Sequence, residues 1–195
     1  ASAQQPDGYL NTYFTVVEPE KRWSNLFDCH ELYCAGHMIE AGVAAYELLG
    51  KRELLDVVCK YADYIDSVFG EEEGKRRGVP GHEEIELALV KLYEVTGNKK
   101  HLELSRFFVD ERGVRSEELC DWMLRSYNQS HAPVREQRTA EGHAVRAVYL
   151  YCAMADLALK YGDTELLNAC KSIFDNIITK RMYVTGGIGS SAFGE

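Results

Sequence analysis

The residues of this 195-residue chain best suited to chemistry are three histidines, His37, His82 and His143, each directly preceded by a glycine. A neutral imidazole offers one hydrogen-bond donor and one acceptor, which suits a polyhydroxyl ligand as well as proton transfer. Each Gly-His pair opens an apolar stretch that runs to a glycine-containing turn and a second apolar stretch. The first is MIEAGVAAYELLGKRELLDVVCKYADYI, the second EEIELALVKLYEVTGNKKHLELSRFFVDE and the third AVRAVYLYCAMADLALKYGDTELLNACKSIFDNI. Counted from Gly50 and Gly162, apolar residues match as Leu54/Leu166, Val58/Cys170, Tyr61/Ile173, Ala62/Phe174 and Ile65/Ile177, which is helical spacing. The chain therefore reads as an internal repeat of helix, turn and antiparallel helix, with hairpins at about 35–69, 82–110 and 142–180.

Repeats that stack side by side put equivalent helix starts at one end, so the three histidines are expected to converge there. Helix starts carry unpaired N–H groups, and a glycine before each histidine is expected to leave room for a ligand. Against this stands the simpler reading that each histidine caps or packs its own helix. Glu83, Glu84 and Glu86 fall in the first turn of the second hairpin, where the helix dipole accounts for their charge and one of them could also face a ligand. The longer insertion 111–141 adds His131, Arg135, Glu136, Gln137 and Arg138 as binding candidates. His30, Glu31, Cys34 and His37 lie close in sequence, but their spacing matches no standard zinc site.

Composition narrows the partners. With 31 acidic against 22 basic residues the net charge is −9, and the longest basic run is Lys75-Arg76-Arg77, so nucleic acid and anionic membrane are poor partners and a neutral ligand fits. No stretch reaches the roughly 18 apolar residues of a membrane span. The opening ASAQQPDGYL lacks the order of a signal peptide, and the chain reads as cytoplasmic. Six cysteines form no C-x-x-C pair; Cys59, Cys152 and Cys170 fall on apolar stripes, which predicts buried, reduced thiols. Residues 1–27 show no helical period and read as a loop of a longer chain, with Tyr9, Tyr13 and Trp23 as packing residues or stacking platforms. Gly187-x-Gly189-x-x-Ala192 follows a helical hairpin instead of opening a βαβ unit, which excludes a dinucleotide loop.

Four segments, AQQPDGYLNTYFT, CHELYCAGHMIEA, REQRTAEGHAVRA and YVTGGIGSSAFGE, resemble in collinear order glycoside hydrolase family 127, the β-L-arabinofuranosidases. The resemblance implies an all-α fold, an (α/α)6 toroid of which these antiparallel hairpins form about half, the barrel not closing within residues 1–195. It implies that His37, His82 and His143 bind the sugar and that Glu195, the glutamate of the GGIGS…GE motif, is the general acid/base. It also implies a zinc-bound cysteine as nucleophile. The family's metal ligands, a Glu-x-Cys pair and a later Cys-Cys pair, lie downstream of that glutamate, so neither nucleophile nor zinc site falls on a residue of this chain. The reaction implied is retaining hydrolysis of a terminal β-L-arabinofuranoside on a glycan or glycopeptide. Two other readings stay open: a sugar epimerase or isomerase on the same toroid, and a non-catalytic helical-repeat carbohydrate-binding module. The isolated chain is expected to be inactive.

Overall fold

The computed structural model describes residues 2–114, 122–189 and 191, and Glu195 lies outside them. Eight α-helices are seen: α1 Tyr13–Val16, α2 Glu31–Leu49, α3 Glu53–Val68, α4 Ile85–Thr96, α5 Lys99–Glu111, α6 Trp122–Tyr127, α7 Ala144–Tyr161 and α8 Thr164–Asn176. A π-helical turn, Ile177–Arg181, continues α8. Among the described residues there is no strand, only one isolated bridge between Phe69 and Arg76. The all-α class built of antiparallel hairpins is the expected one. The chain divides into two compact units, Ala1–Phe107 and Phe108–Glu195.

The strongest repeat signal lies at the turns. Gly50, Gly97 and Gly162 end α2, α4 and α7 in the left-handed region (φ +67, +70 and +64), and their N–H groups donate to Tyr46, Tyr93 and Ala158 carbonyls. A glycine there closes the helix without the Cβ penalty, which is why each turn can be so short.

In the first unit α2 packs against both α3 and α4. Its buried face is Leu32, Ala35, Gly36, Ile39, Gly42 and Val43. Gly42 admits α3 closely: a Cβ there would stand 2.6 Å from Val58 Cγ2. The opening segment is no loose loop. Tyr9 and Trp23 are buried, and Tyr9 sets its ring edge-on to Trp23, Tyr61 and Tyr64 at 5.4, 5.9 and 5.7 Å. Core packing is thus their role, whereas Tyr13 is half exposed.

In the second unit the insertion before α7 is a scaffold of buried amides. Gln137 Nε2 donates to the carbonyls of Gln129 and Ala132 at 2.8 and 2.9 Å. Arg135 joins Asp110 to Asp163, and Asp163 also caps α8 by accepting from Leu166 N–H at 2.9 Å. Arg138 Nη1 donates to the carbonyls of Arg135 and Gln137. Arg135, Gln137 and Arg138, expected as binding candidates, therefore hold this loop together.

Two sequence expectations need correction. The buried residues of α3 are Leu55, Val58, Tyr61, Ala62 and Ile65, and those of α8 are Leu166, Ala169 and Ile173. Phe174, matched to the buried Ala62, is instead 61% exposed, because the two second helices turn different faces inward. The cysteines are free thiols but not core residues: Cys29, Cys34 and Cys152 are exposed, and Cys59 and Cys170 are half buried. Cys120 lies outside the described residues.

Candidate functional site

The Gly-His pairs do not sit at equivalent helix starts. His37 lies well inside α2, His82 in the bend before α4, and His143 at the N-cap of α7. Nor do their glycines leave room for a ligand. A Cβ on Gly36 would fall 1.5 Å from Glu84 Oε2, one on Gly81 2.2 Å from the Phe27 carbonyl oxygen, and one on Gly142 2.0 Å from that of Ser126. Each glycine makes space for another part of the protein, for three different reasons.

What the first unit does bring together is a cluster of rings. Tyr33 lies one helical turn before His37, so side chains at this spacing share a face. Its ring meets His37 edge-on at 4.4 Å and His82 at 4.3 Å. His30 adds a third imidazole, 5.6 Å from Tyr33 and 5.9 Å from His82. His30 holds φ +50, a left-handed conformation uncommon for a residue with a side chain, and its Nδ1 meets the Asp28 carbonyl. Tyr33, His30 and His82 are all half buried, and His37 keeps 42% of its side chain exposed, so the cluster is open to a ligand. His82 Nδ1 lies 2.8 Å from the Glu83 carbonyl, a partner that only accepts, so this nitrogen carries the proton.

Behind the rings lies a carboxyl network. Glu83, Glu84 and Glu86 are all fully buried, so the helix dipole alone does not explain them. Glu86 Oε2 accepts from Glu84 N–H at 3.0 Å. Glu84 Oε1 is 3.5 Å from His37 Nδ1, and Glu40 Oε2 is 4.0 Å from the same atom. Lys91 pairs with Glu40. Burial, then the hydrogen bond to Glu40 and the charges of Glu40 and Glu86, push the Glu84 carboxyl up to about 9. The Glu40 carboxyl is held below its ordinary value; burial opposes this, but the Lys91 and Glu84 hydrogen bonds outweigh it.

His37, Glu40 and Glu84 offer ligand atoms within 4.8 Å of one another, as a metal site would. The Lys91 ammonium pairs with Glu40, which places a positive charge beside this trio. No cysteine joins such a group among the described residues. Glu31, part of the His30–His37 cluster in sequence, turns into the core, where it accepts from Tyr9 O–H and from Trp23 N–H at 2.7 Å.

In the second unit His143 caps α7: its Nδ1 accepts from Arg146 N–H at 3.4 Å, which places the proton on Nε2. Its ring meets Tyr127 edge-on at 5.2 Å, and the Arg146 guanidinium lies over the Tyr127 ring at 4.4 Å. A pocket of about 170 Å³ beside it is lined by Gly142, Tyr151, Arg181, Ile188 and Gly189 among others, so the Gly-His and GGIG segments share one cavity.

Sequence reasoning missed Tyr33, Glu40 and the burial of Glu84. The first was legible as the helical partner of His37; the other two depend on packing between α2 and α4.

The model of the β-L-arabinofuranosidase GH127 catalytic domain matches residues 1–195. The chain is 42% identical to a non-reducing end β-L-arabinofuranosidase of Bifidobacterium longum subsp. longum, over 100% of this chain and 32% of that protein. It superposes with a TM-score of 0.92 and 56% identity on a GH127 β-L-arabinofuranosidase from Geobacillus stearothermophilus T6, covering 98% of this chain and 32% of that one. A second GH127 β-arabinofuranosidase structure gives 0.90 and 46%, covering 99% and 31%. The chain thus spans about a third of the length of these relatives. With the family model matching from end to end, the chain belongs to the catalytic-domain family of glycoside hydrolase family 127.

Proposed function

We propose that the protein containing this chain hydrolyses terminal β-L-arabinofuranosides with retention of configuration. The observation that carries this reading is the whole-chain family match, together with imidazoles grouped around Tyr33 on an open face. Residues 1–195 form part of an (α/α)6 catalytic barrel that other segments complete. His37, His82 and His143 bind sugar hydroxyls. With Nδ1 engaged by backbone, His82 turns an acceptor Nε2 to the sugar and His143 a donor Nε2–H, so each ring commits to one polarity.

Glu195 is the general acid/base. It protonates the leaving oxygen in the first step and takes a proton from water in the second, a role that burial of a carboxyl tunes toward neutral pH. The attacking group, a zinc-held thiolate in the family resemblance, is no residue of this chain, and zinc would be held by ligands beyond Glu195. The substrate is a carbohydrate, an arabinosyl glycan or glycopeptide.

The test is release of L-arabinose from an aryl β-L-arabinofuranoside by the protein at full length. Glu195→Gln lowers kcat/KM by about 10²–10⁴-fold while the circular dichroism spectrum stays unchanged. Equal rates for wild type and variant would remove Glu195 from the mechanism, and no release by either would remove the sugar.

A further inference from the structure

Glu84 is an unusual residue to find fully buried before a helix, in extended backbone with φ 168. Its carboxyl occupies the gap left by the missing side chain of Gly36, so α2 and α4 close over it. On one side lies Glu40, on the other His37 Nδ1 at 3.5 Å from Oε1. Glu84 and Glu40 have carboxyl oxygens within 4.8 Å of each other, and both Glu84 oxygens are buried, so the pair keeps one proton, because both charges cannot be held so close out of water. The side chain of Glu40 is 27% exposed and faces the Lys91 ammonium, so the charge settles there. Glu84 is left with the proton. The other groups facing it are Glu86 from α4, whose charge reinforces this, Lys91, which opposes it, and the thiol of Cys34 from α2.

We propose that Glu84 is the positioning residue for His37: a neutral carboxylic acid that donates its proton to Glu40 and accepts from His37 Nδ1–H, so that His37 meets the ligand as a neutral imidazole with Nε2 as acceptor. A charged Glu84 would instead favour imidazolium, which has no acceptor to offer a hydroxyl. The arrangement gives His37 the same polarity that the Glu83 carbonyl gives His82. Both rings then take protons from sugar hydroxyls. The role assigned to His37 rests on the sugar-binding reading above; the state of Glu84 does not.

The experiment uses the full-length protein with Glu84→Met and Glu84→Gln. Affinity for L-arabinose is measured by calorimetry at pH 7 and pH 10, and the His37 ring nitrogens are followed by ¹⁵N NMR. Glu84→Met, which fills the space without hydrogen bonds, weakens binding about 10-fold at pH 7, the worth of one hydrogen bond, and mixes the His37 tautomers. Glu84→Gln keeps both hydrogen bonds without a titrating proton, so it recovers most of that loss. It also abolishes the fall in affinity that wild type shows above about pH 9 as Glu84 ionises. The proposal is overturned if Glu84→Gln binds as weakly as Glu84→Met, if His37 nitrogen shifts are identical in all three proteins, or if Zn²⁺ shifts them in wild type alone. Should wild type bind no arabinose, the sugar reading fails, and the nitrogen shifts still decide the state of Glu84.

Discussion

In the first unit His37 stands against side chains that can gain or lose protons, Glu84 and Glu40, with Lys91 behind them. In the second unit His143 Nδ1 accepts from the backbone N–H of Arg146, and its ring meets that of Tyr127 edge-on. The same dipeptide thus serves two designs. One sets the imidazole against ionisable side chains; the other sets it against a backbone N–H at a helix start. The glycines divide in the same way: Gly36 yields space to a carboxyl group, whereas Gly142 supplies a backbone turn with φ +75.

Substituting the glycines gives the largest effects and tests this division most directly. Gly36→Ala puts a Cβ within 1.5 Å of Glu84 Oε2 and 2.8 Å of Ile85 Cα, so α4 itself must shift. Overpacking of this kind costs about 3 kcal/mol, read from the midpoint of urea unfolding. By contrast Gly97→Ala, at φ +70 with nothing within 4 Å, costs only the left-handed penalty of about 1 kcal/mol. Equal losses at the two sites would mean that Glu84 does not fill the space over Gly36.

A second difference appears in the pH dependence. Folded Glu84 keeps its proton up to about 9, whereas the same carboxyl in the unfolded chain releases it near the ordinary 4.5. Folding therefore takes up a proton throughout that window, and this group's contribution to stability declines as pH rises from about 4.5 to 9. Glu84→Gln removes the decline, visible as a flatter plot of Tm against pH than wild type gives. Parallel plots would place the bound proton elsewhere.

The smallest effect belongs to the second unit. His143→Ala removes the side-chain cap of α7 and lowers stability by about 1 kcal/mol, read from the midpoint of urea unfolding. An unchanged midpoint would mean that the ring does not cap the helix, and the contrast between the two regions would be lost.

The helical hairpins were legible because their apolar period and turn glycines are local properties. Gly50, Gly97 and Gly162 need nothing beyond their own helix to adopt the left-handed cap. The pairing of buried faces was legible only in part, since period tells which residues share a face but not which face a neighbour covers; Phe174 is exposed for that reason. Three of the insertion candidates, Arg135, Gln137 and Arg138, show the same limit. Polar side chains such as Gln137 and Arg135 look alike in sequence whether they bind a ligand or buried backbone, and here nearby carbonyls and carboxylates claimed them.

The sequence by itself determined the repeat, the absence of a strong basic surface, the three Gly-His pairs and the motifs of the family. Only the tertiary structure decided that Tyr33 stands between His37 and His82, and that Glu84 is a buried acid and not a solvated helix-start charge. The physical reason is that a carboxyl group's protonation depends on water and charge within a few ångströms. For Glu84 that surrounding is made by Gly36, His37 and Glu40 on α2, which only the packing of α2 against α4 brings near.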